Sequence, residues 1–176
     1  MVVIYRAFYY RDRHVYVSFY KIYVRPDLEF CTPVWSPWTE ADLNSLEQVK
    51  KRAIRMISEF NGESYEENLK ELNLFLLKEK RERADMIQKF KILQGFNDVN
   101  PATWFYSRIN HSRVTRNATD RLNLEIQISE TYVRSNFYSV RVPRKWNLIP
   151  SVIKESSTVS IFKEDTMNIE RIRELL

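Results

Sequence analysis

Thr39-Glu-Ala-Asp-Leu-Asn-Ser-Leu-Glu-Gln-Val-Lys-Lys-Arg-Ala-Ile-Arg-Met-Ile-Ser-Glu-Phe60 is the stretch on which the fold turns. Leu43, Leu46, Val49, Ala53, Ile57 and Phe60 recur at helical spacing, so a backbone of about 3.6 residues per turn gathers them on one side. Thr39 stands where an N-cap belongs, with Asp42 in place of the usual Glu of a capping box. A helix of about six turns is predicted, ending before Gly62. Lys51, Arg52 and Arg55 fall on its opposite face. Lys50 falls nearer the apolar edge, where its stem packs and its amine snorkels to water.

Working outward, Ser64 and Glu67 form a capping box for a shorter helix carrying Leu69 and Leu72. Leu74 to Leu77 is a brief apolar link. A second long helix is predicted from Lys78 to Gln94, with Met86, Ile87, Phe90 and Leu93 as its core stripe. Arg81 and Asp85 are spaced to pair along it. Arg83 falls inside the apolar stripe, either reaching a phosphate or pairing with a glutamate of the first long helix. Gly62 and Gly95 each follow a helical stretch, where a left-handed C-cap uses glycine. Upstream, Val15 to Val24 reads equally as strand or as helix, and Pro26 is expected to end either. Pro33 and Pro37 bracket Val34 and Trp35 in a turn-rich connector.

Beyond Gly95 the character changes. Asn97, Asp98, Asn100 and Pro101 mark a loop. Residues Ser107 to Asp120 are polar and basic without a clear period and read as a linker. Leu122, Leu124, Ile126 and Ile128 alternate, which predicts a short strand or an extended docked segment. Arg134 to Trp146 reads as helix, broken or kinked by Pro143, and a further helical stretch follows Ser160. The expected fold is mostly α: an irregular helical bundle with two long helices and at most a short extended segment. The expected divisions are 1–38, a helix and Pro-rich connector; 39–106, the bundle; 107–120, the linker; and 121–176, the carboxy-terminal extended segment and helices.

Composition narrows the chemistry. Hydrophobic residues make up 44% and aromatic residues 14%, enough for a packed core. No apolar run approaches a membrane span, and Met1 to Tyr5 is too short for a signal peptide's apolar region. The single cysteine, Cys31, excludes an internal disulfide and a multi-cysteine zinc site and suits an intracellular compartment, nucleus or cytoplasm. It reads as a small core residue rather than a nucleophile. Two glycines cannot build a phosphate-binding loop. His14 and His111 lack a second ligand at metal spacing, and Glu66, Glu67 and Glu71 read as a solvated helix face. No catalytic residue, metal site, cofactor or small-molecule substrate is therefore predicted. Trp35, Trp38, Trp104 and Trp146 are capable of stacking on bases, but all four are expected to anchor cores and turns. The net charge is +5, and from Arg108 to Lys145 eight basic residues face three acids. A polyanionic partner and a merely solvated basic surface both fit that pattern.

Several segments carry a resemblance. Tyr23-Val-Arg-Pro-Asp-Leu-Glu-Phe-Cys31 with Val34-Trp-Ser-Pro37 resembles the "YVRPHLEYCSPVWSP" stretch of Jockey-like non-LTR retrotransposon polyproteins. Leu46-Glu-Gln-Val-Lys-Lys-Arg-Ala53 resembles their "LE-x-VQ-x-RA" helix. Ser64-Tyr-Glu-Glu and Leu69-Lys-Glu-Leu72 resemble "SYEERLKEL". Arg81-Glu-Arg-Ala-Asp85 and Phe90-Lys-Ile-Leu93 resemble "RLRADLIETFKIL". Phe137 to Pro150, with Arg141, Trp146 and Asn147, resembles "FFSNRVVNLWNSLP", and Ser160 with Phe162 and Lys163 resembles "SVNAFK". The segments come in the family's order over nearly the whole chain. Two departures stand out: Thr115-Arg116-Asn117-Ala118 replaces the frequent "TRGH", and Pro143 replaces an aliphatic residue.

The resemblance implies the carboxy-terminal region of such a reverse transcriptase, from the thumb onward. The catalytic aspartates of RNA-directed DNA synthesis lie upstream in that family, and no adjacent Asp-Asp pair occurs here. The chain is therefore expected to be non-catalytic alone and to contact the backbone of template RNA or target DNA, with the remainder of the parent enzyme as its other partner. The expected contacts are Lys51, Arg52, Arg55, Arg113, Arg116, Arg121, Arg134, Arg141, Arg144 and Lys145. The alternatives are a structural or protein-interaction bundle, and a degenerate copy without function.

Overall fold

Tyr16, Tyr20 and Leu28 decide the ambiguous amino-terminal stretch: all three are buried, at helical spacing. In the computed structural model, which describes residues 13–55, 64–107 and 122–175, α1 (Arg13–Phe19) runs through a π-turn (Tyr20–Val24) directly into α2 (Arg25–Glu29). Pro26 does not end the helix, contrary to expectation. The π-turn explains why: Arg25 N–H donates to Tyr20 O, five residues back. The widened turn resets the hydrogen-bond ladder, and Pro26 then occupies a first-turn position where no donor is needed. The chain turns at Cys31, whose φ of 50° lies in the left-handed region. Cys31 is exposed rather than in the core. The adjacent Thr32 is buried instead, its hydroxyl donating to Glu29 O at 3.0 Å.

Two compact units divide the chain, residues 1–81 and 82–176. In the first, α3 (Glu40–Arg55) begins as predicted, with Thr39 Oγ1 accepting from Asp42 N at 3.1 Å. Its expected last turn, with Ile57, Phe60 and Gly62, lies outside the described residues. The Ser64–Glu67 capping box opens α4 (Tyr65–Glu71). Asn73, at φ 52°, closes it: Leu74 N donates to Leu69 O at 2.8 Å, a Schellman-type ending with Asn in glycine's place. Tyr16, Tyr20, Leu28, Ala53, Ile54, Leu69, Leu72, Leu74 and Leu77 make this unit's core. Glu47 of α3 ties it together, accepting from Tyr65 Oη and from Leu77 N, the latter at 3.1 Å. That second bond caps an orphan amide at the start of α5 (Leu77–Leu93).

The division between units falls within α5, inside the 39–106 segment expected as one bundle. The reason is which core each half of the helix joins. Leu77 belongs to the first core, whereas Met86, Phe90 and Ile92 belong to the second, with Phe105, Leu124, Tyr138, Val142, Trp146 and Phe162. Gly95 adopts φ 73° as the C-cap, and Phe96 N reaches back to Lys91 O at 3.0 Å. After α6 (Pro101–Trp104), a lone antiparallel bridge joins Ser107 to Leu124. That bridge is the extended element the alternating residues predicted. Only Leu124 of the four is buried, and Ile128 stands 96% exposed.

The helix expected from Arg134 to Trp146 is two, α7 (Tyr132–Ser135) and α8 (Tyr138–Trp146). The break lies at Asn136 and Phe137, where Phe137 turns extended, and not at Pro143, which α8 runs through. After α9 (Ser151–Lys154), α10 (Val159–Leu175) is as long as α5. The fold is thus mostly α, an irregular arrangement of helices without a sheet among the described residues. Among them no helix is long and apolar enough to cross a membrane.

Candidate nucleic-acid interface

In the first unit the predicted basic residues lie on α3, opposite the buried Lys50, Ala53 and Ile54. Arg52 and Arg55 are exposed, one turn apart, with no acidic partner among the described residues. Lys51 is half-buried, its amine 4.9 Å from the Tyr65 ring centroid. Lys50 does not snorkel. It is 1% exposed, donates to Phe75 O, and sits 3.7 Å from Glu47 Oε1. Burial lowers its pKa to about 8, with Glu47 pulling the other way.

In the second unit Arg134, Arg141, Arg144 and Lys145 have unequal surroundings. Arg141 grips Asp85 with both Nε and Nη2, at 2.8 and 3.0 Å, and donates through Nη1 to Asn136 O at 2.7 Å. This is a bidentate pair inside the fold, so Arg141 is a structural residue and not a free phosphate contact. Burial pushes the Asp85 carboxyl up, and Arg141's hydrogen bonds and charge oppose that push. Lys145 meets Glu82 at 2.5 Å near the surface. Arg134 and Arg144 are exposed and take no acidic partner among the described residues. Arg113, Arg116 and Arg121 lie outside the described residues.

The other polar residues of α5 also differ from expectation. Arg81 donates to Trp35 O and Leu28 O, and its guanidinium stacks 4.3 Å from the Trp35 ring centroid. Arg83 has the structural role considered for it, but its partners are Lys163 O and the Thr166 hydroxyl of α10 rather than a glutamate. Leu93 is 39% exposed, and Ile92 takes the core position instead. Lys89, unremarked in the sequence, is fully buried with its amine 3.5 Å from the Phe105 ring centroid. That amine has no hydrogen-bond partner among the described residues, and burial lowers its pKa to about 7. Of the tryptophans, Trp146 is fully buried as an anchor, whereas Trp35, Trp38 and Trp104 are 41–44% exposed.

Sequence reading missed two aromatic residues beside the free cations. Tyr132 is 69% exposed and Phe137 52% exposed, and the Arg134 guanidinium lies 5.2 Å from the Phe137 ring centroid. The readable signal was an absence: from Thr131 to Lys154 there are five basic residues and no acidic one. No group of three or more His, Cys, Asp or Glu able to hold a metal occurs among the described residues. No protein-family model matches the chain, and neither a curated protein nor a solved structure matches it.

Proposed function

We propose that the chain is the carboxy-terminal part of a non-LTR retrotransposon reverse transcriptase and that it grips template RNA or target DNA by the phosphates. The order of the resembling segments supports the family. Residues within those segments also have partners in other such segments: Asp85 with Arg141, and Phe90 with Phe162 at 4.3 Å between ring centroids. The observation that carries the binding reading is the state of four arginines. Arg52, Arg55, Arg134 and Arg144 stand exposed without acidic partners among the described residues. An unneutralised guanidinium on a helix is free to displace counterions from a phosphate backbone, a contact that does not depend on base sequence.

The test is binding of labelled oligonucleotides across a salt series. Changing Arg52, Arg55, Arg134 and Arg144 to Glu is expected to weaken binding for all sequences alike. The log–log salt slope should become shallower by roughly 0.7 to 0.9 for each phosphate that the variant no longer neutralises. Unchanged affinity and slope would remove these residues from the interface. A second reading, a bundle that buttresses the parent polymerase, is supported by Phe30 and Val34, which are 71% and 81% exposed on the turn after α2. It takes over if the wild-type chain shows no salt-dependent binding.

A further inference from the structure

The segment joining α7 to α8 is locked at its backbone and open at its rings. Thr131 Oγ1 accepts from Arg134 N at 3.3 Å. Tyr132 O accepts from Ser135 Oγ at 2.6 Å and from Asn136 Nδ2 at 2.8 Å. Asn136 O accepts from Arg141, whose guanidinium is itself fixed by Asp85. Hydrogen bonds from side chains thus hold the turn from both ends, yet Tyr132 and Phe137 face solvent. Two aromatic rings on a preorganised turn lose little conformational entropy on meeting a flat partner.

The charge around them selects that partner. Phe137, Arg141 and Lys145 follow one another at helical spacing along α8, with Arg144 beside Lys145. Arg141 and Lys145 are already paired, whereas Arg134 and Arg144 have no acidic partner among the described residues. No acid interrupts the sequence from Thr131 to Lys154. An apolar protein partner would not need that field. A strand of phosphates would, and an unpaired strand also offers bases to stack.

We infer that Tyr132 and Phe137, flanked by Arg134 and Arg144, form a binding site for single-stranded nucleic acid. The inference rests on the phosphate-binding reading above and adds strand selectivity to it. Duplex bases are already stacked on their neighbours and present only edges to the grooves. Unpaired bases expose a π-face to Tyr132 and Phe137, and such stacking tolerates any sequence.

The experiment uses the full chain with a labelled single strand and a duplex of equal length, about 20 nucleotides, comfortably larger than the stacking site. Tyr132→Ala with Phe137→Ala is expected to lower single-strand affinity about tenfold or more. Duplex affinity and both salt slopes should stay as they were. Phe137→Trp with Tyr132 intact should keep the single-strand affinity. Unchanged circular dichroism and melting certify that the rings alone were removed. Equal loss on single strand and duplex, or no loss on either, overturns the inference while leaving phosphate binding in place. Absence of any salt-dependent binding by the wild-type chain overturns both readings together.

Discussion

Lys50 and Lys89 are both buried in helices, and they differ in what each amine meets. Lys50 donates to Phe75 O and lies near Glu47, whereas Lys89 rests on the Phe105 ring with no hydrogen bond. Methionine has nearly the same length and no charge, so Lys→Met at the two sites should act with opposite signs. Lys50→Met leaves the Phe75 carbonyl unmet and is expected to cost about 1–3 kcal/mol. Lys89→Met removes a buried charge without a counterion and sets a thioether against Phe105, so it should stabilise the fold. Urea unfolding measures both changes, and destabilisation by Lys89→Met would show that its ammonium is better accommodated than its surroundings indicate. Sequence could not separate the two residues. Arg81, Asp85 and Lys89 follow one another along one row of α5, and all three are buried. A period count assigns charged residues to solvent, so it placed Met86 and Phe90 in the core, where they are, and passed over the buried charged row beside them.

At the scale of elements, local chemistry was legible and its tertiary setting was not. The Thr39 cap, the Ser64–Glu67 box and the Gly95 ending depend on neighbours in the chain, and all three formed as read. Pro26 misled because proline's effect depends on the hydrogen-bond ladder around it, and the π-turn alters that ladder. The extended segment near Leu124 is held by a tertiary clamp. Asn147 Oδ1 accepts from Leu124 N and its Nδ2 donates to Leu124 O, both at 2.9 Å, while Trp146 Nε1 donates to Leu122 O at 2.9 Å. The carboxamide thus serves as a neighbouring strand would. Asn147→Ala should cost about 1–3 kcal/mol through the unmet backbone groups. It should also expose the Leu124 amide to hydrogen exchange. Retained protection at Leu124 would show that another element holds the segment. The basic face of α3 was legible for the same local reason, but the capture of Arg141 by Asp85 was not, because 56 residues separate them.

Across the whole molecule the buried titratable groups set the dependence of stability on pH. Burial lowers Lys89 to about 7 and Lys50 to about 8, from an ordinary value of 10.5. Between those values and 10.5 the unfolded chain holds protons that the folded chain has released. Stability therefore rises with pH through that window. Burial acts oppositely on Tyr20, Tyr65 and Tyr138, raising each above its ordinary 10.0. Above about pH 10 the unfolded tyrosines ionise first while the folded ones keep their protons, so stability falls as pH climbs further. The two trends meet in a maximum near about pH 10, well to the alkaline side of the usual optimum at about 5 to 8. Each compact unit carries both kinds of group: Lys50, Tyr20 and Tyr65 in residues 1–81, and Lys89 and Tyr138 in residues 82–176. The shape is thus expected whether unfolding occurs in one transition or two. Urea midpoints measured from neutral pH to beyond the tyrosine range give the profile. Lys89→Met should flatten its rise just above about pH 7, where Lys89 releases its proton before Lys50 does. A midpoint that declines steadily from neutral pH would mean that both lysines keep their ordinary proton affinity in the folded chain, with water or an anion reaching them.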